Sequence, residues 1–449
     1  MSQKRQKETL DTKQSSLDQE SQHGYSSQSD SSTTSQGSDY SENSQPSPTP
    51  ENAPDHIPKP NKSKKHKTKK ITVVKVRYVK RVLNKRKPFK RSSSANVSPP
   101  SQPPLVSEDD PANSKFLQTD HSSDSFKVDR YGWVIDSSAS KTDSKLLKEE
   151  SKKEEMRESK WIEMTNNWNL YSTKYHKVVE RRVIKGIPDC FRSLAWSLML
   201  EPDVIHVGQL ESIDYYYNLG VSPSDHTILV DIPRTMPKVP IFKQKSFRVS
   251  LYRVLRAYSN YDKELGYYQG NSFLAAMLMN YMDEDTVFRC FVGIMRGQKH
   301  MLRSFYLHEF EMLKKISLVW EQLLKIKYPK VYEQTKKMNL DHMLYTPTWF
   351  LAAFLNLPLD PVVKLRIFDR FLFMGTRALL SFGLAIVGLN HKVLKSGGFE
   401  KVLPLLQDPT AHSESMKNWR QIIKAYDDNM ITEKEYRTAF ELAKVDLIP

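Results

Sequence analysis

Apolar positions along this chain change character several times. From residue 1 to about 60, Ser, Gln, Asp and Pro dominate and aliphatic residues are almost absent. Such a stretch cannot bury enough apolar surface to offset chain entropy, which predicts disorder. Between Ile71 and Val82, Val, Tyr and Ile interleave with Lys and Arg, a pattern compatible with one short strand. Another Ser- and Pro-rich stretch, from about 92 to 126, predicts a disordered linker. Order is expected from Asp129-Arg130-Tyr131-Gly132-Trp133-Val134 onward. From Lys145 to about Arg182 the period turns helical, with Trp161, Met164, Trp168 and Tyr171 at spacings of three and four. Gly186-Ile187-Pro188-Asp189 breaks that pattern, and Pro188 suits the first turn of a new helix. Amphipathic helices are then predicted at Phe247 to Tyr258, Ser272 to Met282, Asp285 to Met295, Leu302 to Leu324, Val362 to Phe373 and Arg377 to Asn390. Past a loop at Asp408-Pro409, Ser415 to Tyr426 and Glu433 to Val445 read as helices too. Strand-length alternation is scarce, so the ordered part is expected to be all-α.

Composition refines this picture in three respects. Hydrophobic residues make up only 39% of the 449, in keeping with a long unfolded extension. The net charge of +16 resembles a nucleic-acid footprint until it is mapped. The segment 61–91 holds 15 Lys and Arg and no acid, which leaves about +1 for the rest of the chain. An argument from global charge therefore fails, and nucleic acid is not expected as a partner of the ordered part. The two cysteines, Cys190 and Cys290, show no ligand spacing; they fit a reducing compartment and are read as core residues. With no run of 18 apolar residues and no signal-peptide pattern, a cytoplasmic protein with at most peripheral membrane contact is expected.

The sequence lacks the GxxxxGK[ST] loop, the GxSxG elbow and the HExxH motif, so no self-contained active site is legible. Two polar constellations stand out within the apolar helical region. In Ile228-Leu229-Val230-Asp231-Ile232-Pro233-Arg234-Thr235-Met236-Pro237, an acid and an arginine lie three apart between helix-stopping prolines. Asp231 can there orient the Arg234 guanidinium or serve as a cap or turn former. In Gly266-Tyr267-Tyr268-Gln269-Gly270-Asn271-Ser272, a glycine-flanked Gln269 can present its amide from the start of a helix.

Ile228-x-x-Asp231-x-x-Arg234 and Tyr267-x-Gln269 resemble the two fingerprints of the TBC domain, the GTPase-activating fold for Rab proteins. Arg181-x-x-x-Lys185-Gly186-Ile187-Pro188 with Arg192-x-x-x-Trp196 resembles that family's opening. Leu255-x-Ala257-Tyr258-Ser259-x-Tyr261 resembles its centre; Trp349-Phe350, Pro358 and Arg366-Ile367-Phe368-Asp369 with Gly375 resemble its second half. The likeness covers roughly 180 to 400, in the family's order. It implies a TBC-type helical domain acting on a GTP-bound Rab-family GTPase in vesicle trafficking. Arg234 would neutralise charge developing on the transferring phosphoryl group, and Gln269 would orient the attacking water. Asp231 would position Arg234, and Tyr267 would support the Gln269 loop together with Gly266 and Gly270. Ile228 would be a supporting residue of the first motif, and Arg192 and Trp196 would be architectural. GTP and Mg²⁺ would belong to the partner, so the chain needs no cofactor of its own. Met236, Asn271 and Phe368 depart from the family pattern without touching either finger.

The resulting organisation is a disordered extension over 1–128 carrying the basic block 61–91, a mostly helical lead-in over 129–182, the TBC-type domain over 183–404 and a helical tail over 405–449. The basic block suits an anionic membrane surface, a nuclear-import signal or a solvated tail equally well. Two rival readings stay open: the same fold as a catalytically silent docking module, and a nuclear nucleic-acid-binding protein using 61–91.

Overall fold

The computed structural model describes residues 143–446 apart from Met301, with Ser114 and Leu117 the described positions before them. The basic block, the expected strand inside it, and the start of order at Asp129 lie outside the described residues. Among the described residues there is no strand. The lead-in forms α1 (Asp143–Asn166), α2 (Trp168–Thr173) and α3 (His176–Lys185). Then follow α4 (Asp189–Val207), α5 (Ile213–Tyr217), α6 (Asp225–Asp231), α7 (Lys245–Tyr261), α8 (Asn271–Met279) and α9 (Glu284–Arg296). The second half carries α10 (Glu311–Lys327), α11 (Pro329–Lys337), α12 (Thr346–Phe350), α13 (Pro361–Met374) and α14 (Thr376–Leu394). The chain ends in α15 (Phe399–Gln407), α16 (Pro409–His412), α17 (Trp419–Asp428) and α18 (Glu433–Ala443).

Starts and stops follow local chemistry. Asp283 caps α9 by accepting the Thr286 N–H at 3.0 Å, and Asp360 caps α13 through Val362 N–H at 2.8 Å. Thr432 and Glu435 form a reciprocal capping box at α18. Pro188 is the residue before α4, with ψ 142°, rather than its first turn. The single helix expected over Lys145 to Arg182 is broken at Asn167 and at Tyr175. Trp161 and Met164 before the first break, and Trp168 and Tyr171 after it, are all buried in the core. The helix expected over Leu302 to Leu324 is also interrupted. His308, Glu309 and Phe310 take positive φ (47°, 53° and 64°), which no right-handed helix contains. Short turns therefore precede α10.

The core is built by packing α9 on α4, α7 on α5, α13 on α14 and α3, and α10 on α11. At its centre α14 is buried on nearly every side. Its length and composition would allow it to cross a membrane, and two thirds of it is buried inside the fold. A helix that is apolar all round is what such a central position requires. The tail packs on the same helices: α17 lies on α14, with Tyr426 Oη donating to the Ala378 carbonyl at 2.9 Å, and α18 lies on α10. Trp349 and Phe350 are buried, as expected of core residues. Cys290 is buried, and burial pushes its thiol up to about 12. Cys190 is exposed, contrary to expectation. It sits in the first turn of α4, facing away from the apolar stripe formed by Phe191, Ala195 and Leu198.

Candidate functional site

Helix α6 is anchored by Ile228, whose side chain is fully buried. Beyond Asp231 the chain tightens into a 3₁₀ turn, Ile232–Arg234, for which Pro233 supplies a fixed φ and no competing N–H. That turn drives Asp231 inward and Arg234 outward: their side chains are 6% and 61% exposed. Asp231 makes no capping bond. Its Oδ1 accepts a charge-assisted hydrogen bond from Arg234 Nη2, and its Oδ2 accepts one from Tyr267 Oη at 2.9 Å. One buried carboxylate therefore joins the two motifs across 36 residues of sequence. A second tie runs beside it. The Thr235 hydroxyl is hydrogen-bonded to the Asp231 carbonyl oxygen at 2.9 Å and to Ser272 Oγ at 2.8 Å.

The Gln269 loop is fixed from three sides. At its start, Asp262 takes Arg303 on both carboxylate oxygens, Nε at 2.5 Å and Nη2 at 3.0 Å. Burial pushes the Asp262 carboxyl up, but the hydrogen bonds from Arg303 prevail and hold it below the usual range. In the middle, the Tyr267 N–H donates to Ser224 Oγ at 3.1 Å. Gly266 passes that hydroxyl with φ +63°, and a Cβ there would lie 2.7 Å from Ser224 Oγ. Burial, and then the neighbouring Asp231 charge, raise the Tyr267 phenol well above its ordinary value, so it remains a neutral donor. Tyr268 packs its ring 5.0 Å from Tyr306 and 5.6 Å from Phe310. At the end of the loop, the Asn271 N–H bonds the Tyr268 carbonyl at 3.1 Å, closing a turn with Gln269 and Gly270 at its tip. Gly270 has φ +107° and precedes α8, leaving Gln269 exposed.

Arg234 and Gln269 thus project into solvent from two tight turns tied to each other by Asp231–Tyr267 and Thr235–Ser272. Strained backbone gathers beside them. Met236 (φ 47°) follows the first turn, and Phe310 (φ 64°) touches the second through Tyr268. Sequence reasoning paired Asp231 with Arg234 and gave Tyr267 a supporting role. It missed the Asp262–Arg303 clamp, Ser224 and the Thr235–Ser272 tie, since no spacing relates residue 303 to 262 or 272 to 235.

Arg192 and Trp196 belong to a separate, buried place. The carboxylate of Asp369 accepts Arg192 Nε at 3.2 Å, Arg192 Nη2 at 3.3 Å and the Trp196 indole N–H at 2.9 Å. Phe368 fills the adjoining space, with its ring edge-on to Trp196 at 5.0 Å. This network joins α4 to α13 and leaves no group free for chemistry.

An exposed guanidinium and an exposed amide, each on a rigid turn, make neither a nucleophile nor a base. They can stabilise negative charge and orient a small molecule by hydrogen bonding. Among the described residues, no group of three His, Cys, Asp or Glu side chains is placed to hold a metal ion.

Residues 189–395 match the family model described as the Rab-GTPase-TBC domain. The TBC1 domain family member whacked of Drosophila melanogaster is 30% identical over 267 residues, 57% of this chain and 71% of that protein. The Rab GTPase-activating protein eat-17 of Caenorhabditis elegans is 33% identical over 231 residues, 51% of this chain and 25% of that protein. The solved Chlamydomonas flagellar RabGAP TBC domain matches with a TM-score of 0.49 and 16% identity, covering 68% of this chain and 100% of that one.

Proposed function

The chain belongs to the Rab-GTPase-TBC domain family, and from that premise we propose that it accelerates GTP hydrolysis by a Rab-family GTPase in its GTP-bound state. Support at the family level comes from relatives named as Rab GTPase-activating proteins. The observation that carries the residue-level reading is the shared Asp231 carboxylate, which couples the exposed Arg234 to the loop of the exposed Gln269. In this reading Arg234 enters the partner's nucleotide site and offsets negative charge on the γ-phosphoryl oxygens as the bond to the leaving group breaks. Gln269 holds the attacking water in line. Asp231 and Tyr267 are positioning residues that hold both groups on rigid backbone before the partner arrives. The nucleotide and Mg²⁺ belong to the GTPase, and the chain contributes no covalent intermediate. Rab proteins work on membranes, so the 61–91 block is proposed to add peripheral attraction to anionic lipid and a role in vesicle trafficking.

The test is single-turnover GTP hydrolysis by a panel of GTP-loaded Rab proteins with the full chain added. One or a few members should be stimulated, and Arg234→Ala should lower the stimulated rate by roughly 10³–10⁵-fold. Gln269→Ala should also lose stimulation. The double variant should lose less than the product of the single losses, because both groups act on one transition state. Binding of a GTP-loaded Rab without stimulation would replace this mechanism with the docking-module reading. Stimulation unaffected by either substitution would eliminate the two-finger mechanism.

A further inference from the structure

We infer that a second site, a cavity enclosed by α1, the α3–α4 junction, α13 and α17, binds a phosphate monoester through Arg366. The cavity holds about 290 Å³, and none of its lining residues comes from the segments carrying Arg234 or Gln269. Five cationic side chains line it: Lys153, Arg157, Lys185, Arg192 and Arg366. The two acids in the lining are already engaged. Glu154 accepts the Asp189 N–H at 3.3 Å, and Asp427 is paired with Arg370. Arg192 is held by Asp369 and Asp189.

Arg366 differs from the exposed Lys153 and Lys185 in being largely buried, and from Arg192 in lacking a carboxylate partner. Among the described residues it makes no hydrogen bond or ion pair, and its Nη1 is buried without a partner. Its place is made by Gly186, where an added Cβ would lie 1.3 Å from that nitrogen. Burial lowers its pKa, and although Asp369 raises it, Arg157, Arg192 and Arg370 add repulsion that brings it to about 10. It is still charged at neutral pH. A charged donor left without an acceptor is costly, and an anion would supply the missing acceptor. The planar fork of a guanidinium matches phosphate oxygens two at a time. The excess of cations favours a dianion over a carboxylate. Lys153 and Lys185 are exposed at the rim, where they can draw an anion in. Trp419, Ile423 and Val362 give the cavity an apolar wall, room for an organic portion beyond the phosphate itself.

The test uses the full chain, so that the 61–91 block is identical in every sample. Calorimetric titration with sn-glycerol 3-phosphate reads a soluble ligand. Flotation with phosphatidylcholine vesicles carrying phosphatidic acid reads the same monoester on a lipid, and phosphatidylglycerol vesicles control for charge alone. Saturable binding in either arm is expected, weakened at least tenfold by Arg366→Met and by the rim variant Lys185→Gln. Without phosphate, Arg366→Met should raise Tm, because it removes an unpaired charge; a guanidinium that merely braces the fold would give a lower Tm. Should Arg366→Met fail to fold, Lys185→Gln alone decides the binding question. Absence of saturable binding in both arms, or equal binding by wild type and variants, would overturn the site.

Discussion

Asp231 holds two side chains from different parts of the chain, one on each carboxylate oxygen, and this division makes its role testable. Asp231→Asn keeps the shape but removes the charge that fixes the Arg234 guanidinium. The domain should stay folded, while the stimulated hydrolysis rate falls about 10²-fold, the cost expected of a small misplacement. Single-turnover kinetics beside circular dichroism would separate the two effects. Tyr267→Phe leaves Asp231 Oδ2 without its buried donor, which should cost about 1–3 kcal/mol in urea unfolding. Gly270 is constrained differently. Its φ of +107° strains any residue with a Cβ, so Gly270→Ala should destabilise by roughly 1–3 kcal/mol and slow stimulated hydrolysis by turning Gln269 away. A Gly270→Ala variant with unchanged stability and rate would count against the rigid-turn account.

At the scale of elements, the decisive joint is the one between α4 and α13. Asp369 is fully buried and answers Arg192 and Trp196 together. Removing it by Asp369→Ala would leave the buried Arg192 guanidinium with Asp189 alone and the Trp196 indole N–H without its acceptor, at a cost of about 3–5 kcal/mol. The midpoint of urea denaturation should drop accordingly, with the kinetics of the molecules still folded little changed. The resemblance to the TBC family's opening made Arg192 and Trp196 legible as a motif, four apart on one face of α4. It did not reveal Asp369 as their shared partner, because the contact spans 177 residues and depends on how two helices cross. For the same reason the lead-in and the interval before α10 read as unbroken helices. Amphipathic periodicity continues across a bend whenever both halves face one core, so Asn167 and Tyr175 left no signal.

Over the whole molecule, buried bases make stability depend on pH. His300 is fully buried against the Phe371 carbonyl, and burial, then the nearby Lys299, hold its pKa well below 6.5. Below pH 6.5 the unfolded chain binds a proton that the folded chain refuses, so stability should fall as pH drops through that value. Lys364 donates to the Leu355 carbonyl, and burial, then Lys238, bring its pKa from 10.5 down to about 7. Between 7 and 10.5 the unfolded chain again holds more protons, so stability should rise with pH across that window. Guanidinium melts from pH 5.5 to 9 would check both, with Lys364→Met flattening the upper part. The sequence by itself determined the helical class, the basic block, the motif positions and the inward stripe of Trp161, Met164, Trp168 and Tyr171. These follow from local quantities: period, composition and residue order. Tertiary structure alone decided that Asp231 faces Tyr267, that Arg303 clamps Asp262, that Cys190 points outward and that Arg366 stands without an acceptor. Each of these depends on which distant side chains the packing brings within hydrogen-bond reach, and no spacing along the chain encodes that.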